Sequence, residues 1–433
     1  MDVRTIAKYE ELDDQTSQPM LVSRPYLLAF GWLLQKRDFN IGQNLEQHYR
    51  FDWGDEVSSM VRHFIDGVGS IPALTRFVRG NLAIVSKYPK VIEDLTEPSR
   101  IVDLAISSSL SYYNNSGPAY RSPMENTELL IKQGYQFFKV LAPALDTIIE
   151  KHATMLTAEA ALVHIIGLSR IYLAALNLEN SPVEESIRNQ LQSHPTMPPK
   201  YNGIVISAEW KFSMLKKIIV CGQMQLRVCG VTTMCTELLS LYTKHKKEDS
   251  SRQPILIHFA EYIMSNKLVD YIVGTGSHPE LISESGNIVG FLMATKSYTN
   301  KETDTIWQTV TTSQDPRVVE AVLRMLASVL NLLDYDKLLY LCDKASALPI
   351  EAFTAAMRDH CQRVIGLLIE KATGDDRTEY LDAPPYELCI RLIRESSMPR
   401  SDAPLGLLDV QHWATNRLRE LVRSEEHTSE LQS

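Results

Sequence analysis

Apolar residues that recur every three, four and seven positions leave this chain few options besides helices, each with one face to bury. Between 126 and 151, Leu129, Leu130, Phe137, Phe138, Leu141, Leu145, Ile148 and Ile149 keep that spacing and so fall along one stripe of a 3.6-residue helix. Residues 157–177 repeat it with Ala161, Leu162, Ile165, Ile166, Leu168, Ile171, Tyr172, Ala175 and Leu176. This second run is apolar on more than one side, so it is expected to lie between neighbours on both flanks.

Start and stop signals punctuate the rest. Ser181-Pro-Val-Glu184 reads as a capping box, with a hydroxyl N-cap, proline at the first helical position and glutamate three residues on. Ser277-His-Pro-Glu280 repeats the pattern, and Asp315-Pro316 opens a helix expected over Val318 to Leu333. Ser23 with Pro25, Ser70 with Pro72 and Thr96 with Pro98 are weaker instances. Gly222, Gly274 and Gly374 read as stops. Together these signals predict about fifteen helices joined by short polar turns. Val310-Thr311-Thr312 is β-branched, but it closes a helical run from Thr303 and is too short to make a strand.

Successive helices with short links favour antiparallel pairs. Over a chain of 433 residues the economical packing is an all-α solenoid of stacked helix pairs, an armadillo- or HEAT-like superhelix without a strict sequence period. Two stretches interrupt the pattern. Residues 107–127 are rich in Ser, Asn and Pro, so a flexible loop is expected to begin within them. Residues 192–203 carry Pro195, Pro198, Pro199 and Gly203 and form a second expected loop. The chain is therefore divided into N-terminal helical repeats over 1–191 and C-terminal repeats over 204–422.

Residues 423–433 stand apart. Arg423-Ser-Glu-Glu-His-Thr-Ser-Glu-Leu-Gln-Ser433 matches the conceptual translation of a common sequencing-library adapter. It is read as an artefact and set aside from fold reasoning, and the natural polypeptide is expected to run on past Val422.

Charge and cysteine usage narrow the class. With 44 Lys and Arg against 53 Asp and Glu, the net charge is −9, which argues against an electrostatic grip on nucleic acid or on an anionic membrane. No run of ~20 apolar residues for crossing a bilayer is apparent, and Lys8, Glu10, Glu11, Asp13 and Asp14 precede any apolar run, unlike a secretory signal. Cys221, Cys229, Cys235, Cys342, Cys361 and Cys389 form no CxxC pair and read as reduced, buried thiols of a cytoplasmic or nuclear protein.

Few residues invite a chemical reading. Asp375, Asp376 and Glu379 have the DDxxE spacing with which all-α terpene synthases hold Mg²⁺ on diphosphate, but they follow Gly374 in what reads as a solvated turn. His360-Cys361 suggests a base beside a thiol nucleophile. Adjacent helical residues point about 100° apart, so a core cysteine next to a surface histidine is the expected arrangement. Cys221, Cys229 and Cys235 lack a further ligand at tetrahedral spacing. His152, His164, His258 and His278 read as satisfied local donors, and Lys244-His-Lys-Lys247 as a basic helix end suited to the dipole. Met224–Leu239 interleaves Cys229, Gly230, Thr233 and Cys235 with Leu226, Val228, Val231 and Met234, the pattern of a tightly packed inner helix.

Longer runs carry a resemblance. Glu209–Ile219, Met224–Leu239, Leu268–Val273, Ser277–Ile282, Ser285–Phe291, Thr303–Val319, Pro349–Phe353 and Pro385–Arg394 together resemble the helical repeat region of very large ubiquitin-specific peptidases. The likeness spans about 205 to 398 and is loose before that. It implies armadillo-like repeats upstream of a papain-like cysteine peptidase domain that removes ubiquitin. No Asn-x-Gly-Asn-Thr-Cys stretch or matching Gly/His box is present, so no catalytic, cofactor or metal residue carries over and no cofactor is implied. The expectation is a non-catalytic scaffold that recruits other proteins, ubiquitinated substrates among them, without nucleic acid or membrane insertion. A freestanding armadillo-like adaptor with no peptidase attached, and an all-α metal-dependent enzyme using Asp375, Asp376 and Glu379, are the alternatives.

Overall fold

The computed structural model describes residues 71–82, 91–115, 123–190, 197–221, 223–246, 253–374, 382–398 and 406–431. Every regular element among them is helical, without a strand, so the described chain is all-α. It divides into two compact units, residues 1–230 and 231–433. The division falls inside a helix rather than in the 192–203 stretch.

Unit 1 holds α1 (Ile71–Leu82), α2 (Val91–Asp94), α3 (Thr96–Asn115), α4 (Pro123–His152), α5 (Ala158–Leu176), α6 (Glu185–Arg188) and α7 (Asn202–Val220). Helix α3 runs on through Asn115 and α4 begins at Pro123, so most of the 107–127 stretch expected to contain a flexible loop is helical, and 116–122 lie outside the described residues. Ala105 and Ile106 are buried and carry the helix into the Ser-rich stretch despite its loop-like composition. Along α4 the stripe buries Phe137, Leu141, Leu145 and Ile148, but Leu129 is 53 % exposed and does not belong to it.

Helix α5 is the centre of the unit, packed against α3, α4 and α7. Its buried residues run round more than one face, including Ala161, Ile165, Leu168, Ile171 and Ala175. By length and composition it is apolar enough to cross a membrane, contrary to expectation, yet most of its length is buried against its neighbours. Each fully buried Leu or Ile contributes about 1.5–3 kcal/mol, so this helix anchors the unit. Thr157 caps it, accepting from the Ala160 amide at 3.3 Å.

Helix α8 (Met224–His245) straddles the division. A Cβ on Gly230 would sit 2.8 Å from Ile219 Cγ1 and 2.9 Å from Ile218 Cγ1, so the absence of a side chain sets how closely α8 approaches α7. The expected small-residue packing is therefore found at Gly230, although Gln225, Thr232 and Thr236 leave the opposite face exposed.

Unit 2 continues with α9 (Pro254–Ser265), α10 (Leu268–Val273), α11 (Pro279–Glu284), α12 (Gly286–Ala294), α13 (Asn300–Thr312) and α14 (Pro316–Val329), and then α15 (Tyr335–Ser346), α16 (Ala355–Gly374), α17 (Pro384–Ser396) and α18 (Gly406–Leu431). Its more extensive contacts pair α10 with α13, α11 and α12 with α14, α14 with α16, α15 with α16 and α17, and α18 with α16 and α17. Of the runs from Leu268 to Arg394, Pro349–Phe353 spans a 3₁₀ turn (Ile350–Ala352) and the others lie wholly or mostly on these helices.

Helix starts obey the local chemistry with two corrections. Asp315 caps α14 as expected, accepting from the Arg317 amide at 2.9 Å with Pro316 at the first position. That helix ends at Val329 and tightens into a 3₁₀ turn over Leu330–Leu332, short of the expected Leu333. At α11 the cap is His278, not Ser277; its Nδ1 accepts from the Glu280 amide at 3.3 Å. Ser181 caps no helix, because its hydroxyl donates to the Ala175 carbonyl at 2.7 Å and closes the turn after α5. Helix α6 starts only at Glu185. The capping box among the described helices is at α13. The Thr299 amide donates to Glu302 Oε2 at 2.9 Å and Thr299 Oγ1 accepts from the Lys301 amide at 3.2 Å.

Replacing Thr299 by Ala is expected to lower the stability of unit 2 by about 1 kcal/mol, measured as a shift in the chemical denaturation midpoint at unchanged m-value. An unshifted midpoint would show that the cap contributes nothing.

Candidate functional site

The thiols come first, because three of them converge. Cys342 on α15, Cys361 on α16 and Cys389 on α17 are each at most 2 % exposed, and Cys361 and Cys389 lie near enough to Cys342 to raise its pKa, as Cys389 does that of Cys361. Cys389 packs in one cluster with Ile365 and Leu421, flanked by Tyr386 and Trp413, and Cys361 stands one helical turn before Ile365. Burial pushes Cys361 and Cys389 up to about 12, with Cys342 raised further for the same reason. A thiolate is the reactive form, so none of the three is poised as a nucleophile near neutral pH.

The expected surface position of His360 is wrong. The imidazole is 2 % exposed and its ring lies 6.1 Å from that of Trp307, tilted by 42°. Neither ring nitrogen has a hydrogen-bond partner, so His360 does not receive a proton from Cys361. With the imidazole pushed down to about 4 by burial and the thiol pushed up, both groups stay neutral. The pair lacks the charge separation that a base and thiolate need.

His164, read as a satisfied local donor, is satisfied, but by partners 65 and 72 residues away. Its Nε2 lies 2.8 Å from the Ile92 carbonyl oxygen and its Nδ1 2.8 Å from Ser99 Oγ. A carbonyl only accepts, so Nε2 carries the proton and Nδ1 accepts from the serine hydroxyl. The fully buried ring thereby ties α2, α3 and α5 together. Burial, with Arg100 nearby, lowers its pKa to about 4 against the pull of the Ile92 carbonyl.

Ion pairs brace the surfaces. Asp103 receives Arg170 Nη1 at 3.0 Å and Ser107 Oγ at 3.4 Å, yet burial outweighs both and raises its pKa. Lys217 of α7 is held by Asp146 and by Glu150, both on α4. The resulting pull raises its pKa, with burial opposing it. These groups are spent on one another.

Two concavities stand out among the described residues. One, of about 290 Å³, lies at the start of α7 beside Arg188, Lys200, Asn177 and Asn202. Its two cations have local partners: Arg188 Nε donates to the Val183 carbonyl at 3.2 Å, and Lys200 Nζ sits 4.9 Å above the Tyr201 ring. The other is an open groove of about 570 Å³ in unit 2, with Ser328 in the last turn of α14 and Asn331 just beyond it on one side and Arg363, Gly366, Leu367 and Glu370 of α16 on the other. A Cβ added at Gly366 would meet no atom within 4 Å. Sequence reasoning missed this groove, since its walls come from segments thirty residues and more apart.

Asp375, Asp376 and Glu379 lie outside the described residues. Among the described residues no group of three or more His, Cys, Asp or Glu side chains is placed to hold a metal ion. No family model, curated protein or solved structure matches the chain.

Two outcomes follow from these geometries. In the native protein a thiol reagent at pH 7.5 is expected to reach only the half-buried Cys221 and Cys229. Cys235, Cys342, Cys361 and Cys389 should label only after denaturation; fast native labelling of Cys361, read by mass spectrometry, would contradict the burial. Replacing His164 by Leu strands the Ser99 hydroxyl and the Ile92 carbonyl and is expected to destabilise unit 1 by about 2–3 kcal/mol. It should also flatten the loss of unit 1 stability on acidification. A histidine whose folded pKa lies near 4, below its unfolded value of 6.5, withdraws stability as pH falls through that window.

Proposed function

We propose that this chain is a non-catalytic helical scaffold, a solenoid of stacked helix pairs that recruits or positions protein substrates for a large deubiquitinating enzyme of the cytoplasm or nucleus. One observation supports the repeat reading. Within each unit the more extensive contacts join helices no more than three positions apart along the chain. A closed bundle brings its first and last helices together, whereas a stack of hairpins meets only near neighbours.

Docking is assigned to the groove between the end of α14 and the exposed side of α16. Glycine inside a helix costs about 1 kcal/mol relative to alanine, and at Gly366 no neighbouring atom requires it. The missing side chain instead keeps the groove open between Arg363 and Glu370. Its polar rim and the half-buried Leu367 suit a protein segment better than a small apolar ligand. The deubiquitinase link rests on the resemblance of the quoted runs.

Replacing Gly366 by Ala is expected to stabilise unit 2 by about 0.5–1 kcal/mol, with no neighbour to clash. Loss of stability instead would mean that the glycine serves packing. For function, the full chain is expected to leave a ubiquitin–fluorophore substrate intact; turnover that disappears on Cys361→Ala would overturn the scaffold reading. Reading the transcript beyond codon 422 tests the parentage: continuation into a Cys/His peptidase domain supports it, and a stop there favours a freestanding adaptor.

A further inference from the structure

We propose that His360 is a proton-operated lock on the contact between α16 and α13 in unit 2, closed while the imidazole is neutral and released when it is charged. Buried polar atoms are almost always paired, and an exception calls for a reason. His360 is 98 % buried, and both of its ring nitrogens lack a partner. Leucine or methionine would fill a similar volume without desolvating two nitrogens. What the imidazole adds is the ability to take a proton.

The surroundings give that proton no welcome. From α13 the ring meets Trp307, itself only 5 % exposed. The carboxylates of that helix are engaged elsewhere: Glu302 in the Thr299 cap, and Asp304 with Lys344 Nζ at 2.7 Å and the Tyr340 hydroxyl at 2.8 Å. From α15 and α17 the groups near α16 are the neutral thiols of Cys342 and Cys389 and the Tyr386 phenol against the Ile365–Cys389 cluster, with the exposed Asp343 acting on Cys342. On α14, Glu320 and Arg324 are exposed, as is Asp359 on α16 itself. Arg417 of α18 acts on Cys389. Among the described residues the charge that acts on His360 is the Arg363 guanidinium, one turn along its own helix and of the repelling sign.

Charging the ring in place therefore buries an unpaired cation beside another cation, and opening the α13–α16 contact to water relieves both burdens. Burial first and Arg363 second hold the folded pKa near 4, against 6.5 for the free group. Across that window the open form gains about tenfold per pH unit. His164 shares the depressed value, but both of its nitrogens are bonded and it belongs to unit 1, so its response is read from different helices. The inference stands apart from what occupies the groove.

Hydrogen exchange on the full chain at pH 7, 6 and 5, corrected for intrinsic rates and followed by mass spectrometry, tests the lock. Peptides covering 300–312 and 355–366 are expected to lose protection about tenfold per pH unit below 6.5 in the wild type. In His360→Met and His360→Gln that slope should vanish, while peptides covering 158–176 keep the wild-type slope. Equal slopes in wild type and both variants, or a flat wild-type profile, would overturn the proposal. Should neither variant fold, ¹⁵N-histidine resonances of the wild type decide: a neutral His360 in the folded protein at pH 5.5 supports the lock, and a charged one refutes it.

Discussion

Burial of each helix's apolar stripe against helices close by in the chain is the constraint on which the rest of this structure depends. A helix of 12 to 30 residues with one apolar face is marginal in water by itself, and here the more extensive contacts join helices no more than three positions apart along the chain. The core is thus assembled piecewise. Phe137 and Leu141 of α4, Ile165 and Leu168 of α5, and Leu215 and Ile218 of α7 are all fully or nearly fully buried. Polar atoms drawn inside with them are mostly satisfied by short-range partners, as Ser285 and Thr295 are by carbonyls three or four residues back. His164 and His360 mark the two ways a longer-range polar group is treated, one bonded at both nitrogens and one left bare.

Helical periodicity made the class and most helices legible, because a 3.6-residue repeat of large apolar side chains has one physical use. It was less reliable at the ends. Ser181 carries the residues of a capping box, yet its hydroxyl finds the Ala175 carbonyl first, and the competition between turn and helix is not visible in a tetrapeptide. Thr299-Asn-Lys-Glu302 has the same pattern and forms the box, so the motif alone does not decide. Leu129 reads as part of the α4 stripe and is exposed, since it points away from the face that buries Thr127 and Ile131 in the same turn.

His360 was readable with closer attention to period. Met357, His360, Cys361, Val364, Ile365 and Leu368 follow the spacing of a single buried face, and all six are buried. The separation of about 100° between adjacent helical side chains does not put one of them outside, because a buried face this wide takes both. The groove beside Gly366 had no such signal: an isolated glycine in a helical run lowers helix propensity without saying what stands opposite. The convergence of Cys342, Cys361 and Cys389 was equally hidden, because their separations in the chain become proximity only through the contacts of α15 with α16 and α17.

Contacts concentrated among near neighbours make a direct demand on how a local defect spreads. Leu388 in α17 is fully buried, and truncating it to Ala should remove about 2–5 kcal/mol. Hydrogen exchange across unit 2 of the Leu388→Ala protein is the measurement to make. Loss of protection confined to α15 through α18, with α9 to α12 unchanged, is the result expected of stacked helix pairs. An equal loss from α9 to α18 would mean that unit 2 is a single closed core, and the account given for its architecture would fail.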